Sequence, residues 1–130
     1  MIFVDTSAIF ALADGMDARH DEATRAFDAL LRTGRRLFTH SYVLVESMAL
    51  LQRRLGRAKA IEFASVAAAF EIEWVGERLH NAAVLALGEQ PRGISLVDQV
   101  SFLVMRRRGI HEAFAFDADF TAAGFRLFEA

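Results

Sequence analysis

Residues 93–109 read GISLVDQVSFLVMRRRG, and residues 113–120 read AFAFDADF. The first segment offers a serine cap, a run of apolar residues with basic residues in its last turn, and a final glycine, so it predicts a helix over residues 95–108. The second segment begins with a short apolar run, which predicts a strand over residues 113–116. A helix followed directly by a short buried strand is a repeating unit of α/β folds.

Acidic residues interrupt these apolar elements and two others. Asp98 lies in the first turn of the predicted helix, and Asp117 comes directly after the predicted strand. Asp5 follows the apolar run Met1–Val4, and Glu46 lies within a third apolar element, a helix. Carboxylates on apolar elements are costly unless a positive group lies among them. These four acids are therefore the main candidates for a functional site.

The remainder of the chain alternates between strands and helices in the same way. Strands are predicted at residues 1–4, 36–39, 71–75 and 125–128, and helices at residues 8–13, 21–33, 41–55, 57–70 and 77–87. This alternation predicts an α/β fold in which helices cover both faces of a mainly parallel sheet. The length of 130 residues, without a repeat or linker, predicts one domain over residues 1–130.

The composition excludes several classes of protein. Hydrophobic residues make up 54% of the chain, more than is usual for soluble proteins, and part of this excess is expected to be an interface. The absence of cysteine excludes disulfides, thiolate metal sites and a cysteine nucleophile. No signal peptide and no apolar run of about 18 residues is present, so we expect a soluble, cytoplasmic protein.

The basic residues are almost all arginine. Lys59 is the single lysine among the 15 basic residues. Arginine clusters occur at Arg35–Arg36, Arg53–Arg54 and Arg106–Arg108. The planar guanidinium group can bond two phosphate oxygens at once, which makes such clusters candidates for phosphate binding. The alternative is that they are solvated helix ends, where basic side chains also favour the helix dipole.

Each acid also has an ordinary structural interpretation. Asp5 could form a turn or cap a helix, and Glu46 could face solvent. Asp98 stands three residues after Ser95, which is the spacing of a capping box. Asp117 and Asp119 could likewise be turn and cap residues.

One site that gathers the acids explains all of them together. Clustered carboxylates repel one another, and a hard divalent cation with oxygen ligands, Mg²⁺ or Mn²⁺, removes that cost. Such a cation commonly takes further ligands from a substrate phosphate, so the predicted chemistry is phosphodiester hydrolysis with one or two metals. Ser7, two residues after Asp5, is expected either to position a ligand from the second shell or to cap a helix.

These motifs, in this order, resemble a PIN domain. The resemblance rests on DTSA at residues 5–8, Glu46 on a helix, SLVDQVSF at residues 95–102, and FDADF with GFR at residues 116–120 and 124–126. It covers essentially the whole chain. It implies a three-layer α/β/α sandwich and a Mg²⁺- or Mn²⁺-dependent endoribonuclease.

The resemblance also implies the roles of particular residues and partners. Catalytic acids would be Asp5, Glu46, Asp98 and Asp117, with Asp5, Asp98 and Asp117 as metal ligands and Glu46 and Asp119 as further candidates. A single domain of this size looks most like the toxin of a VapBC-type toxin–antitoxin pair. Such a toxin would form a homodimer, cleave tRNA or rRNA, and be blocked by a small antitoxin. Arg35, Arg36, Arg53 and Arg54 would then be candidates for RNA phosphate binding.

Three alternative functions remain open at this point. A receiver-type signalling domain would need an acid pair after the first strand and a lysine after a late strand, neither of which is present. A catalytically idle module that binds RNA or protein would keep the fold without the chemistry. A DNA-directed nuclease would use the same metal site, since no reader of the 2′-hydroxyl is identifiable.

Two other side chains receive structural interpretations. His40, at a strand-to-helix junction, is interpreted as a structural or exposed histidine, because the four histidines have no metal-site spacing. Trp74, on a predicted strand, is interpreted as a core or interface residue rather than a base-stacking platform.

Overall fold

The computed structural model describes residues 1–130 and contains five strands and seven helices. The strands are β1 (Ile2–Val4), β2 (Leu37–His40), β3 (Glu71–Glu73), β4 (Glu112–Phe114) and β5 (Arg126–Leu127). The helices are α1 (Thr6–Ala13), α2 (His20–Arg32), α3 (Ser41–Leu55), α4 (Arg57–Ala67), α5 (Glu77–Leu87), α6 (Leu96–Arg108) and α7 (Asp119–Ala122). None of the helices is long and apolar enough to span a membrane.

All five strands are parallel and form one sheet in the order β3-β2-β1-β4-β5. The order reverses between β1 and β4, because the chain first builds the sheet outward on one side of β1 and then returns to its other side. In open parallel sheets, ligands bind at such a switch point, outside the carboxyl ends of the strands. Asp5 follows β1 directly, so it lies at this position.

Helices cover both faces of the sheet, which confirms the predicted three-layer α/β/α sandwich. Residue Val4 points toward an apolar cavity formed with α1, α2 and α4. Its neighbour Phe3 points to the opposite face, where its ring lies 5.9 Å from that of Phe120 in α7. Strands buried on both faces are expected to be apolar throughout, and β1 is fully buried.

The predicted element boundaries are close to those observed. Helices α3 and α5 have the predicted bounds, whereas the strand predicted to end at Phe116 ends at Phe114. Asp117 therefore lies three residues beyond the strand rather than directly after it. The strand predicted over residues 71–75 ends at Glu73, and the next side chain, Trp74, is 73% exposed. The interpretation of Trp74 as a core residue is thus wrong, and its place at an interface stays a prediction.

Candidate metal centre

Asp5 is buried at the start of α1 and is held by Ser7. Its Oδ2 accepts hydrogen bonds from the Ser7 backbone N–H at 3.1 Å and from Ser7 Oγ at 2.7 Å. Asp5, not Thr6 or Ser7, is therefore the N-cap of α1. Ser7 Oγ also accepts a hydrogen bond from the backbone N–H of Phe116 at 2.9 Å. This serine thus connects the end of β1 with the segment that leads from β4 to Asp117.

Three further acids converge beyond the ends of β1 and β4. One carboxylate oxygen each from Asp98, Asp117 and Asp119 lies within 4.8 Å of the other two. Asp98 belongs to α6, Asp117 lies between β4 and α7, and Asp119 is the first residue of α7, where its N–H donates a hydrogen bond to Asp117 Oδ1 at 2.9 Å. The acids therefore share one cluster although 18 residues of the chain lie between Asp98 and Asp117.

Glu46 reaches the same region from α3. Its neighbour Ser47 is buried and donates a hydrogen bond to Thr6 Oγ1 at 3.1 Å, which joins α3 to the start of α1. Glu46 itself is exposed, and its charge contributes to the raised pKa of Asp5. The α3–α1 hydrogen bond therefore holds Glu46 beside Asp5, at the solvent side of the cluster.

The electrostatics show that these acids act on one another. Burial, together with the charges of Asp98 and Glu46, raises the pKa of Asp5 from 3.8 to about 6, against the opposing effect of the Ser7 hydrogen bonds. Burial and the charge of Asp117 raise the pKa of Asp98. Partial burial and the nearby Asp117 and Asp98 also raise the pKa of Asp119. The site is therefore short of positive charge.

Asp98 and Asp5 also fill the structural roles that their positions allow. Ser95 and Asp98 form the predicted capping box, with Ser95 Oγ accepting from the Asp98 N–H at 3.0 Å and Asp98 Oδ2 accepting from the Ser95 N–H at 3.1 Å. A carboxylate has about four lone-pair positions, so one such bond leaves it able to bind a cation as well. The capping and metal-binding interpretations of these acids are therefore compatible.

His40 helps to position α6 and has no contact with solvent. Its Nδ1 accepts from the N–H groups of Tyr42 and Val43, so the ring proton lies on Nε2, which donates to Ser101 Oγ at 2.8 Å. Ser101 Oγ in turn donates to the Val97 carbonyl at 3.0 Å. Burial lowers the pKa of His40 to about 4, so the ring is neutral near pH 7. No local sequence pattern indicates that Ser101, one turn after Asp98, anchors α6 in this way.

The arginines predicted to bind nucleic acid fall into two groups. Arg35 and Arg36 precede β2, at the amino edge of the sheet opposite the acids, and pair with Glu112 and Glu71. Arg53 and Arg54 lie in the last turn of α3, and Arg54 stacks on a phenylalanine ring of α1. The first pair is thus remote from the acid cluster, and RNA binding by either pair stays a prediction.

The donor set fits a hard divalent cation. Two oxygens on opposite sides of such an ion are separated by roughly 4–5 Å, which is compatible with the 4.8 Å limit among Asp98, Asp117 and Asp119. The three candidate ligands are carboxylates, with no sulfur or imidazole among them, and such a donor set suits Mg²⁺ and Mn²⁺. Asp119, given above only as a further candidate, belongs to this trio, whereas Asp5 lies outside it, and metal binding by Asp5 stays a prediction.

Comparison with known proteins identifies the family. Residues 2–126 match the PIN domain. The chain belongs to the PIN-domain family. It is 40% identical over 128 residues to the 23S rRNA-specific endonuclease VapC20 of Mycobacterium tuberculosis, a match that covers 96% of this chain and 95% of the relative. The family resemblance stated from the sequence motifs is thereby confirmed.

Two solved structures share the PIN-domain fold. The crystal structure of Mycobacterium tuberculosis VapC20, described as a sarcin–ricin loop cleaving toxin, covers 100% of both chains with a TM-score of 0.89 and 38% identity. A protein of Pyrobaculum aerophilum covers 97% of this chain and 87% of its own length, with a TM-score of 0.61 and 20% identity. At that identity the second likeness shows the fold alone.

Proposed function

We propose that this protein is a metal-dependent endoribonuclease that hydrolyses phosphodiester bonds of ribosomal RNA, as the toxin of a toxin–antitoxin pair. The observation that carries the proposal is the cluster of Asp98, Asp117 and Asp119 at the switch point of the sheet, with Asp5 and Glu46 beside it. This cluster occurs in a PIN-domain chain that is 40% identical to a named 23S rRNA endonuclease.

The acids have separate roles in this proposal. Asp98, Asp117 and Asp119 would hold Mg²⁺ or Mn²⁺. When bound, the cation supplies Lewis-acid polarisation of water and of the phosphate group. Asp5 keeps its Oδ2 fixed by Ser7 and its Oδ1 without a protein donor, so Oδ1 can accept a proton or orient a water molecule. Glu46, exposed beside Asp5, is placed to accept a hydrogen bond from a water molecule at the same position.

Ribosomal RNA is the preferred substrate class because the relatives point to it. VapC20 is named as specific for 23S rRNA and as cleaving the sarcin–ricin loop. We therefore propose an rRNA loop as the target of this chain, and tRNA as the second candidate within the same activity. A catalytically idle binding module is the alternative function, and cleavage assays separate the two.

The test is cleavage of purified ribosomes and of total tRNA by the isolated protein, with Mg²⁺, with Mn²⁺ and with EDTA. We expect discrete fragments of 23S rRNA with either cation and none with EDTA, because the clustered acids need a cation to bind the phosphate. Cleavage of tRNA but not of rRNA would make tRNA the substrate in place of rRNA. If the RNA stays intact under every condition, and mass spectrometry shows that the protein carries no inhibitor, the catalytically idle binding module becomes the favoured function.

The partner that we propose is a small antitoxin that inserts an amphipathic helix between α2 and α4. A cavity of about 300 Å³ between α1, α2 and α4 is lined mainly by apolar side chains. A second cavity of about 520 Å³ continues it toward β2 and shares Phe27, Val66 and Phe70 with the first. A continuous apolar groove beside an exposed valine suits helix-in-groove recognition.

A charge placed in this groove should release the toxin from its antitoxin. Val66, 44% exposed, lines both cavities, while Ile61, 58% exposed on the same helix, lines neither. We expect Val66→Arg to keep RNA cleavage and to lose inhibition by the cognate antitoxin, because an arginine would be buried without a partner. Ile61→Arg should stay inhibited. Equal inhibition of both variants would place the antitoxin elsewhere.

We also propose that the chain is one domain that acts as a cytoplasmic homodimer. Leu85 on α5 and Trp74 after β3 are both more than 70% exposed, and large apolar side chains exposed in this way are typical of interfaces. A light-scattering mass equal to that of one chain would remove the dimer from the proposal.

A further inference from the structure

A pocket of about 280 Å³ opens directly beside Ser7, the residue that holds Asp5. Its walls come from α1, from the last turns of α3, from the segment before α2 and from Phe116. The residues that give it a chemical character are Ser7, Phe10, Asp17, Arg19, Arg54 and Phe116. Its volume is near the lower limit of small-ligand pockets, so it has room for one nucleotide but not for a protein helix.

Two arginines stack on the aromatic walls of this pocket. The Arg54 guanidinium carbon lies 5.8 Å from the centroid of Phe10, and that of Arg19 lies 5.2 Å from the centroid of Phe116. When a guanidinium stacks on a ring, its planar face contacts the ring and its N–H groups at the edge stay free to donate hydrogen bonds. The pocket therefore presents positioned donors beside a cluster of acids.

The two arginines differ in what already binds them. Arg19 pairs with Glu22 at 3.3 Å, and its backbone N–H donates to Asp17 Oδ1, so a carboxylate also lies in the pocket wall. Arg54 makes no ion pair and no side-chain hydrogen bond within the chain. Arg54 is thus the guanidinium in this pocket whose hydrogen-bonding capacity is unused.

We propose that this pocket binds a backbone phosphate of the RNA next to the bond that is cleaved, with Arg54 as its principal ligand and Arg19 as the second. This inference rests on the proposed function. The acid cluster repels every phosphate except the one that a bound cation attracts, so the neighbouring phosphates need basic contacts close by. Ser7 lies in the wall of the pocket and bonds Asp5 and the Phe116 N–H, which makes the pocket and the acid site adjoining.

The sequence pattern alone could not single out these two residues. Arg53 and Arg54 are neighbours of the same type at the end of one helix, and Arg19 belongs to no cluster. The structure distinguishes them, because Arg54 and Arg19 line the pocket and Arg53 does not. Arg57, which is also exposed and lies outside the pocket, is the matched control for the loss of one positive charge.

The experiment measures binding of a fluorescently labelled RNA hairpin that carries the sarcin–ricin loop sequence, by anisotropy in EDTA. The proteins are wild type, Arg54→Ala, Arg54→Lys and Arg57→Ala, each checked by thermal unfolding. We expect Arg54→Ala to raise Kd about tenfold and to reduce the slope of log Kd against log salt by about 0.7. Arg54→Lys should recover part of the affinity, since it keeps the charge but loses the planar fork.

The control variant and the cleavage assay decide how the results are interpreted. Arg57→Ala should bind as wild type does. Equal Kd values and salt slopes for Arg54→Ala and Arg57→Ala, or no saturable binding by wild type, would overturn the phosphate pocket while leaving any observed cleavage in place. If Arg54→Ala alone binds RNA more weakly but the wild-type protein cleaves no RNA, the phosphate pocket is supported and the nuclease function is rejected.

Discussion

Replacing Asp98 by asparagine is expected to reduce the rate of RNA cleavage by roughly 10²- to 10³-fold. Asp98 is the member of the acid trio that comes from a distant element, α6, since Asp117 and Asp119 are only two residues apart at the start of α7. Without its charge, the two remaining carboxylates bind a divalent cation less tightly, and the phosphate loses that attraction. The measurement is initial cleavage rate against Mg²⁺ concentration, where we expect both a lower maximum and a weaker apparent affinity for the cation.

Asparagine is the informative substitution because it removes the charge of Asp98 but keeps its helix-capping role. Its side-chain oxygen can still accept the hydrogen bond from the Ser95 N–H, so α6 keeps its capping box. Alanine would lose that bond as well and cost about 1 kcal/mol of stability, which would confuse the two roles. The matched control is Asp28→Asn, at an exposed acid on α2 that pairs with Arg32. Wild-type cleavage by Asp98→Asn would contradict the role of the trio.

Much of the fold could be predicted because local signals and tertiary structure agree. Helix α3 begins directly after a strand and ends at Gly56, whose φ of 99° disfavours other residues. Boundaries were less accurate where tertiary contacts decide them. Strand β4 ends at Phe114 because pairing with β1 stops there, although the apolar pattern continues to Phe116. Pairing depends on a segment more than 100 residues away, so no local pattern contains it.

The sequence predicts which residues belong to the candidate site better than it predicts how they are arranged. The sequence indicates which acids interrupt apolar elements, but it does not show that Asp119 joins the trio while Asp5 lies outside it. That distinction depends on the turn in which Asp117 accepts from the Asp119 N–H. The stacking of Arg19 on Phe116 and the exposure of Trp74 depend likewise on distant segments. The spacing of residues in the sequence indicates which side chains could form a site, whereas tertiary packing decides which of them lie together.

Replacing Asp5 by asparagine is expected to stabilise the metal-free protein at neutral pH. A shift in the pKa of Asp5 from 3.8 to about 6 means that its charged form costs the folded state up to roughly 3 kcal/mol. The neutral amide removes this cost and can still accept the Ser7 hydrogen bonds through its oxygen. The measurement is the free energy of unfolding by urea in EDTA, near pH 8 and near pH 4, for both proteins.

The sign of the pH dependence follows from the direction of the shift. Because the folded state holds the Asp5 proton more tightly, this residue favours folding below pH 3.8, and that contribution is lost as the pH rises through about 6. His40 acts oppositely, since its lowered pKa of about 4 makes stability fall as the pH drops from 6.5 toward 4. Both proteins contain His40, so the difference between them isolates Asp5. We expect that difference to be largest near pH 8 and close to zero near pH 4.

Adding a divalent cation should reduce the stability advantage of the Asp5→Asn variant. A cation that binds the folded state stabilises it in proportion to the logarithm of its concentration above Kd. Wild type gains from the attraction of Asp5 as well as from the trio, whereas Asp5→Asn keeps the trio alone. The variant should therefore be the more stable protein in EDTA and gain less from Mn²⁺. If the variant is no more stable than wild type near pH 8 in EDTA, burial and repulsion of the Asp5 carboxylate do not destabilise the folded state. That result would contradict the proposal that the acid cluster needs a cation to offset its charge.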